Sequence, residues 1–224
     1  MIVKLETIGE TVDFTDGIGA ISFDDFNELS RCAKSLLREG EPGFALYRGE
    51  RRLKSKDIVL IDSLIEFPFD DRRLVGAYAS RVATEIESCE PLATKAHEIR
   101  ARVGELISEL GASLRTDPIG VTERDFKSFA KWLSLSPCRE PDSTLLRRFL
   151  SFMDYVCDTG LNPSIAVIGL IDKLNPADVL QITRKVRNES LEMLFLEYRE
   201  MDTADIEFPV WHIDRDGVLF SRAV

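Results

Sequence analysis

Ser164-Ile-Ala-Val-Ile-Gly-Leu-Ile171, Asn175-Pro-Ala-Asp-Val-Leu-Gln-Ile-Thr-Arg-Lys-Val-Arg187 and Leu191-Glu-Met-Leu-Phe-Leu-Glu197 follow one another with short breaks, and their order decides the fold. The first and third are near-continuous apolar runs of strand length, the pattern of strands covered on both faces. Between them Asn175-Pro176 is a helix start, with Asn able to cap and Pro suited to the first turn. Strand, helix, strand at these lengths predicts a parallel sheet with right-handed crossovers. Upstream, Ser143 to Cys157 places Leu146, Phe149, Leu150, Met153 and Val156 at helical spacing. Downstream, Trp211–Ile213 and Val218–Phe220 flank Asp214-Arg-Asp-Gly217, which predicts a closing hairpin.

The first 70 residues extend the same scheme. Ile18–Phe23 is a short apolar run, and Asp24 or Asp25 caps a helix through about Glu39 that carries Phe26, Leu29, Ala33, Leu36 and Leu37. Gly40 ends it. Phe44–Arg48, Gly49-Glu50 and Arg51 onward predict a second hairpin, and Ile58–Ile61 and Leu64–Phe67 read as buried strand stopped by Pro68.

The middle of the chain changes period. From Arg72 to about Leu110 apolar residues recur every three or four positions, a helical seam resembling a coiled coil. Pro91 lies inside it, so a kink or a break into two helices is expected there. A further helix is expected from Thr122, with Phe126, Phe129, Ala130 and Leu133 on one side, before a linker at Ser136-Pro137 and Glu140-Pro141-Asp142. The expected architecture is an α/β head built from 1–71 and 143–224 with a helical leg, 72–142, inserted between.

The 224 residues are 44% hydrophobic, enough for a core, and carry 29 Lys plus Arg against 39 Asp plus Glu, for a net charge of −10. Spread evenly, that charge repels nucleic acid and anionic lipid, so a DNA-binding role requires the bases to gather on one face. No apolar run approaches the roughly 20 residues that cross a bilayer. Glu6 and Glu10 stand where a signal peptide would be apolar, so a cytoplasmic protein without membrane partners is expected. Cys32, Cys89, Cys138 and Cys157 form no Cys-x-x-Cys pair, and His97 and His212 are far apart in sequence, which argues against zinc.

A parallel α/β head invites a search for a phosphate loop. Ile18–Phe23 runs directly into Asp-Asp-Phe-Asn-Glu-Leu-Ser, with no glycine cradle and no Lys before Ser or Thr, and Gly17-Ile-Gly19 precedes that run instead of following it. Carboxylates at the helix start would repel phosphate, so no nucleotide is expected. Gly-x-Ser-x-Gly is absent. Asp62, Glu66, Asp70 and Asp71 could bind Mg²⁺ as a nuclease site, but solvated strand ends and turns are the stronger reading, so no enzyme is expected. Arg48, Arg51, Arg52, Lys54 and Lys56 lie within nine residues. On an extended ribbon Arg52, Lys54 and Lys56 would share one face by the two-residue period, a comb suited to sequence-independent phosphate contact. A soluble edge hairpin guarded by its charges is the competing reading. Lys127 with Lys131 and Arg147-Arg148 are further basic pairs.

Tyr47-Arg-Gly-Glu-Arg-Arg-Leu-Lys-Ser-Lys-Asp-Ile-Val-Leu-Ile61, the leg Arg72–Leu110 with its proline, and Leu191-Glu-Met-Leu-Phe-Leu-Glu-Tyr-Arg-Glu200 preceded by Ile165–Asp172 carry a resemblance in order and spacing. Over nearly its whole length the chain resembles the short form of the type II-A CRISPR-associated adaptation proteins, the Csn-two family. The resemblance implies a degenerate P-loop-NTPase-like head without ATPase activity, joined to the helical leg. It implies a homotetrameric ring with a basic inner wall that binds double-stranded DNA ends during spacer acquisition, alongside the CRISPR integrase proteins and the effector nuclease. It also implies Ca²⁺, held by carboxylates near the junction of leg and head. Here the segment after the long helix keeps only Asp117, Glu123 and Asp125, with Glu109 as an addition. Ca²⁺ takes about six to eight oxygens, so backbone, water or another subunit would have to contribute; alternatively Arg115 and Arg124 replace the metal by pairing with these acids. A protein scaffold with incidental DNA contact is the alternative function.

Overall fold

The computed structural model describes residues 1–38, 41–113, 126–128 and 143–222. Backbone contacts divide the chain into two units, one of Met1–Pro68, Glu140–Phe152 and Asn162–Val224, the other of Phe69–Arg139 and Met153–Leu161.

In the first unit the quoted apolar runs are the parallel strands they were expected to be. β3 (Ile18–Phe23), β6 (Ile58–Ile61), β7 (Ser164–Ile168), β8 (Glu192–Tyr198) and β9 (Val210–Ile213) are joined by β10 (Leu219–Arg222) in a sheet ordered β10-β9-β3-β8-β7-β6. All its pairings are parallel except the hairpin β9–β10 at one edge. Such strands need cover on both faces, and the six residues of β3 are all buried. A second sheet, β2-β1-β4-β5, is antiparallel and is built from β1 (Ile2–Leu5), β2 (Glu10–Asp13), β4 (Phe44–Arg48) and β5 (Arg51–Arg52).

Helix α1 (Phe26–Ser35) packs against β3 and β8 of the large sheet and β4 of the small one. Its buried residues Leu29, Cys32 and Ala33 recur at helical spacing, and Leu36 follows them into one core with Val3, Leu5, Phe14, Ile21, Phe23, Phe44 and Leu194. Asp25 is the cap, its side chain accepting the Asn27 N–H at 2.8 Å. The helix of the quoted strand–helix–strand unit runs from Pro176 to Asn188 and is capped by Asn175, which accepts the Asp178 N–H at 2.9 Å.

In the second unit the long seam is two helices, α2 (Arg72–Ser88) and α3 (Glu90–Ser113). Pro91 falls in the first turn of α3, where its missing N–H costs no hydrogen bond, and Cys89 in extended conformation makes the break. Asp71 caps α2 through the N–H groups of Arg73 and Leu74, and the Arg73 guanidinium beside it lowers its pKa. Phe69 and Tyr78 flank Tyr155 at ring distances of 5.6 and 5.3 Å.

Three expectations fail. The helix expected through about Glu39 ends at Ser35, and Phe26 and Leu37, expected on its apolar side, are exposed. Leu64–Phe67 is not strand: it is a loop in which the Ser63 hydroxyl accepts the Glu66 N–H at 3.2 Å, and Phe67 packs on Phe149 and Phe152 at 5.8 Å each. The expected strand to Ile171 stops at Ile168, because Gly169 turns the chain with φ +66° into a short 3-10 turn, Ile171–Lys173.

Candidate nucleic-acid interface

The basic cluster is laid out by the β4–β5 hairpin. Gly49 takes φ +60° at its turn, a conformation that favours glycine, and β5 ends after two residues. Leu53 turns inward and is buried, and Lys54 then starts a 3-10 turn over Ser55–Asp57 that leads into β6. The expected ribbon comb of Arg52, Lys54 and Lys56 therefore does not form, because the period-2 geometry is lost after Arg52.

The three arginines are already matched within the chain. Arg48 donates through Nε and Nη2 to Glu192 at 3.0 and 2.7 Å and to the carbonyl of Asn162 at 2.9 Å. The bond it donates to Glu192 raises the Arg48 pKa. Arg51 pairs with Asp57 at 2.8 Å, and Arg52 with Glu6 at 3.3 Å. Asp57 sits below the usual carboxylate range because it accepts the Lys54 N–H and because Arg51 is beside it. Lys54 and Lys56 are exposed, and the charge of Lys56 also acts on Asp57.

The other expected contacts are placed unevenly. Arg148 points its guanidinium at the carbonyls of Ile65 and Leu64, at 3.0 and 3.3 Å, and lies over the Phe67 ring, so it fastens the 62–67 loop. Arg147 is exposed on the helix Leu145–Asp158, as is Lys127 in the helical stretch 126–128. Glu109 is exposed on α3. Lys131, Asp117, Glu123 and Asp125 lie outside the described residues, as does most of the helix expected from Thr122. Among the described residues no three His, Cys, Asp or Glu side chains gather to hold a metal ion, so Asp62, Glu66 and Asp70 are not brought together as one such group.

The end of β3, where a phosphate loop would stand, holds carboxylates. Asp25 occupies the N-terminal N–H of α1, and Asp24 lies 3.6 Å from Nε2 of His212. Behind them is a buried polar row that the sequence pattern did not single out. Ser22, Glu197 and His212 are opposite one another on adjacent strands, and the Ser22 hydroxyl is 2.9 Å from His212 Nδ1. A glutamate inside the apolar run Leu191–Tyr198 was the available signal.

Comparison with known proteins fixes only the fold. No protein-family model matches the chain, and no curated protein is similar to it. Among solved structures the whole chain superposes on 76% of Stu0660 of Streptococcus thermophilus, with a TM-score of 0.52 and 10% identity. It covers 91% of its own length against 79% of MJ1267, an ATP-binding cassette of an ABC transporter, with a TM-score of 0.45 and 11% identity. Against 95% of the Smc head domain with an extended coiled coil from Pyrococcus furiosus the values are 0.43 and 12% over the whole chain. The chain thus has a mixed α/β fold shared with Stu0660. No helix among the described residues is long and apolar enough to cross a membrane.

Proposed function

We propose that this chain is a non-catalytic, cytoplasmic protein that binds double-stranded DNA ends without sequence preference, as a homotetrameric ring serving CRISPR spacer acquisition with the integrase proteins and the effector nuclease. Its head is then a degenerate P-loop-NTPase-like domain, with the helical leg inserted at 72–142. The order of basic hairpin, two-part leg and late strands, which resembles the Csn-two family, supports this reading. The observation that carries it is the state of the hairpin. Its three arginines are held by Glu192, Asp57 and Glu6, which leaves Lys54 and Lys56 exposed at its end as cations able to meet phosphate. A ring would repeat this pair around one opening and offset the net charge of −10 locally.

Calcium belongs to the proposal through Glu109, Asp117, Glu123 and Asp125. Glu109, the one of the four in the described part, is exposed without a gathered partner set, so no step of DNA binding is routed through the ion.

The test is binding of a blunt linear duplex across a salt series. Lys54→Ala with Lys56→Ala is expected to weaken binding roughly tenfold per subunit engaged, at unchanged stability. The salt slope should fall by about 2 per subunit engaged, because each subunit loses two cations that neutralise phosphate. Unchanged affinity and slope remove the hairpin from the interface. Chelator decides between the two readings of the acids: a tetramer that dissolves, read by light scattering, supports calcium, and one indifferent to chelator favours the arginine-for-metal reading of Arg115 and Arg124.

A further inference from the structure

Glu197 is the most unusual ionisable group in the first unit. It ends the apolar run of β8 at 0% exposure, one strand from Ser22. Its Oε1 accepts the Ile171 N–H at 2.9 Å, and the N–H groups of Leu170 and Asp172 on either side favour its charged form. Its Oε2 is buried and finds no donor among the described residues. The charged neighbour acting on it is the acid Asp172, on the turn itself; across β3 the facing group is the Ser22 hydroxyl, which is bonded to His212.

We propose that Glu197 is a proton-dependent latch that fastens the turn Gly169–Lys173 to the end of β8, and that loss of its proton loosens that turn. The turn depends on this anchor. Gly169 leaves β7 with φ +66°, its N–H bonded to the Leu196 carbonyl at 2.9 Å, and two residues on the Ile171 N–H is bonded to the Glu197 carboxyl. Burial pushes the pKa of Glu197 up to about 8, against the pull of those N–H bonds and together with the charge of Asp172. The neutral acid can stay inside with one oxygen accepting from Ile171. The anion leaves a charge beside Oε2 that only water can meet, and water reaches it when the turn opens.

The sign follows from linkage. The closed carboxyl binds its proton more tightly than the open, solvated one, whose ordinary value is 4.5. Between about pH 5 and about pH 8 each unit therefore favours opening by roughly tenfold, and above that the effect levels off.

Hydrogen exchange of the Leu170, Ile171 and Asp172 amides in the full-length protein, corrected for intrinsic base catalysis, reads this directly. Protection is expected to fall by about tenfold per unit over that window in the wild type and to be flat in Glu197→Gln, which keeps the acceptor and cannot ionise. Flat wild-type protection, or an equal slope in the variant, overturns the latch. A reading without any variant is the ¹³C titration of the Glu197 carboxyl: a midpoint near 8 supports the proposal, and one in the ordinary carboxylate range overturns it.

Discussion

Gly19→Ala is expected to lower stability by about 3 kcal/mol, the upper end of the usual cost of overpacking a core. A Cβ at Gly19 would stand 1.9 Å from Cδ1 and 2.1 Å from Cε1 of Phe14, well inside contact distance. The ring cannot give way cheaply. Phe14 is at 0% exposure in the core shared by both sheets, and its backbone is held by Met1 at both ends, the Phe14 N–H to the Met1 carbonyl at 2.8 Å and the Met1 ammonium to the Phe14 carbonyl at 2.9 Å. Nor can the glycine move, because β3 is paired on both sides, to β8 and to β9. Denaturant melts should show a lower midpoint at unchanged slope. The cause is tested by non-additivity: Phe14→Ala alone costs about 3–5 kcal/mol, and Gly19→Ala added to it should cost little. Additive losses would sink the reading that the ring is what forbids a side chain at 19. In this light the pair Gly17-Ile-Gly19 serves packing and a turn, since Gly17 itself takes φ +73°.

What the sequence disclosed was local. Ile18–Phe23, Ile58–Ile61, the caps Asp25 and Asn175, the break beside Pro91 and the hairpin at Asp214–Gly217 are each written in a few adjacent residues, through burial period, capping chemistry or the lost N–H of proline. The failures were of two physical kinds. Leu64–Phe67 has the composition of a strand but no neighbouring strand to pair with, and its carbonyls go to Arg148 instead. The comb Arg52, Lys54, Lys56 assumed that an extended period continued, whereas Leu53 and the cap at Asp57 fold the chain into a 3-10 turn. The candidate interface was legible as a concentration of charge but not as a distribution of free charge. Glu6 and Glu192, which silence Arg52 and Arg48, are 46 and 144 residues away from them, and no spacing rule reaches that far. The same distance hid the row Ser22, Glu197 and His212, whose members meet only once β3, β8 and β9 lie side by side.

Glu192→Ala is expected to cost about 2–4 kcal/mol and, unlike the lysine changes, to act on the fold before it acts on DNA. The Glu192 side chain is 14% exposed and receives both nitrogens of Arg48 and the hydroxyl of Ser164, its direct neighbour on β7. Arg48 belongs to the small sheet and Glu192 to the large one, so the clamp ties the two together. Removing the carboxylate leaves the Ser164 hydroxyl, at 0% exposure, without this acceptor and leaves the Arg48 guanidinium with the Asn162 carbonyl and solvent; the neutral Glu192→Gln should cost less, because an acceptor remains. Although burial acts to raise it, the bonds from Arg48 and Ser164 hold Glu192 below the ordinary carboxylate value of 4.5. Its contribution is therefore complete above that value and is lost as the pH falls through the lower folded value. Thermal melts from pH 7 down to pH 3 should show a steeper acid loss in the wild type than in Glu192→Gln. Arg48→Ala separates structure from function at the same site. If Arg48 is a strut, the variant loses stability and keeps the salt slope of DNA binding, since its charge was already spent on Glu192. A slope reduced by about 1 per subunit engaged at intact stability would return Arg48 to the phosphate contacts and break the division between clamped arginines and exposed lysines.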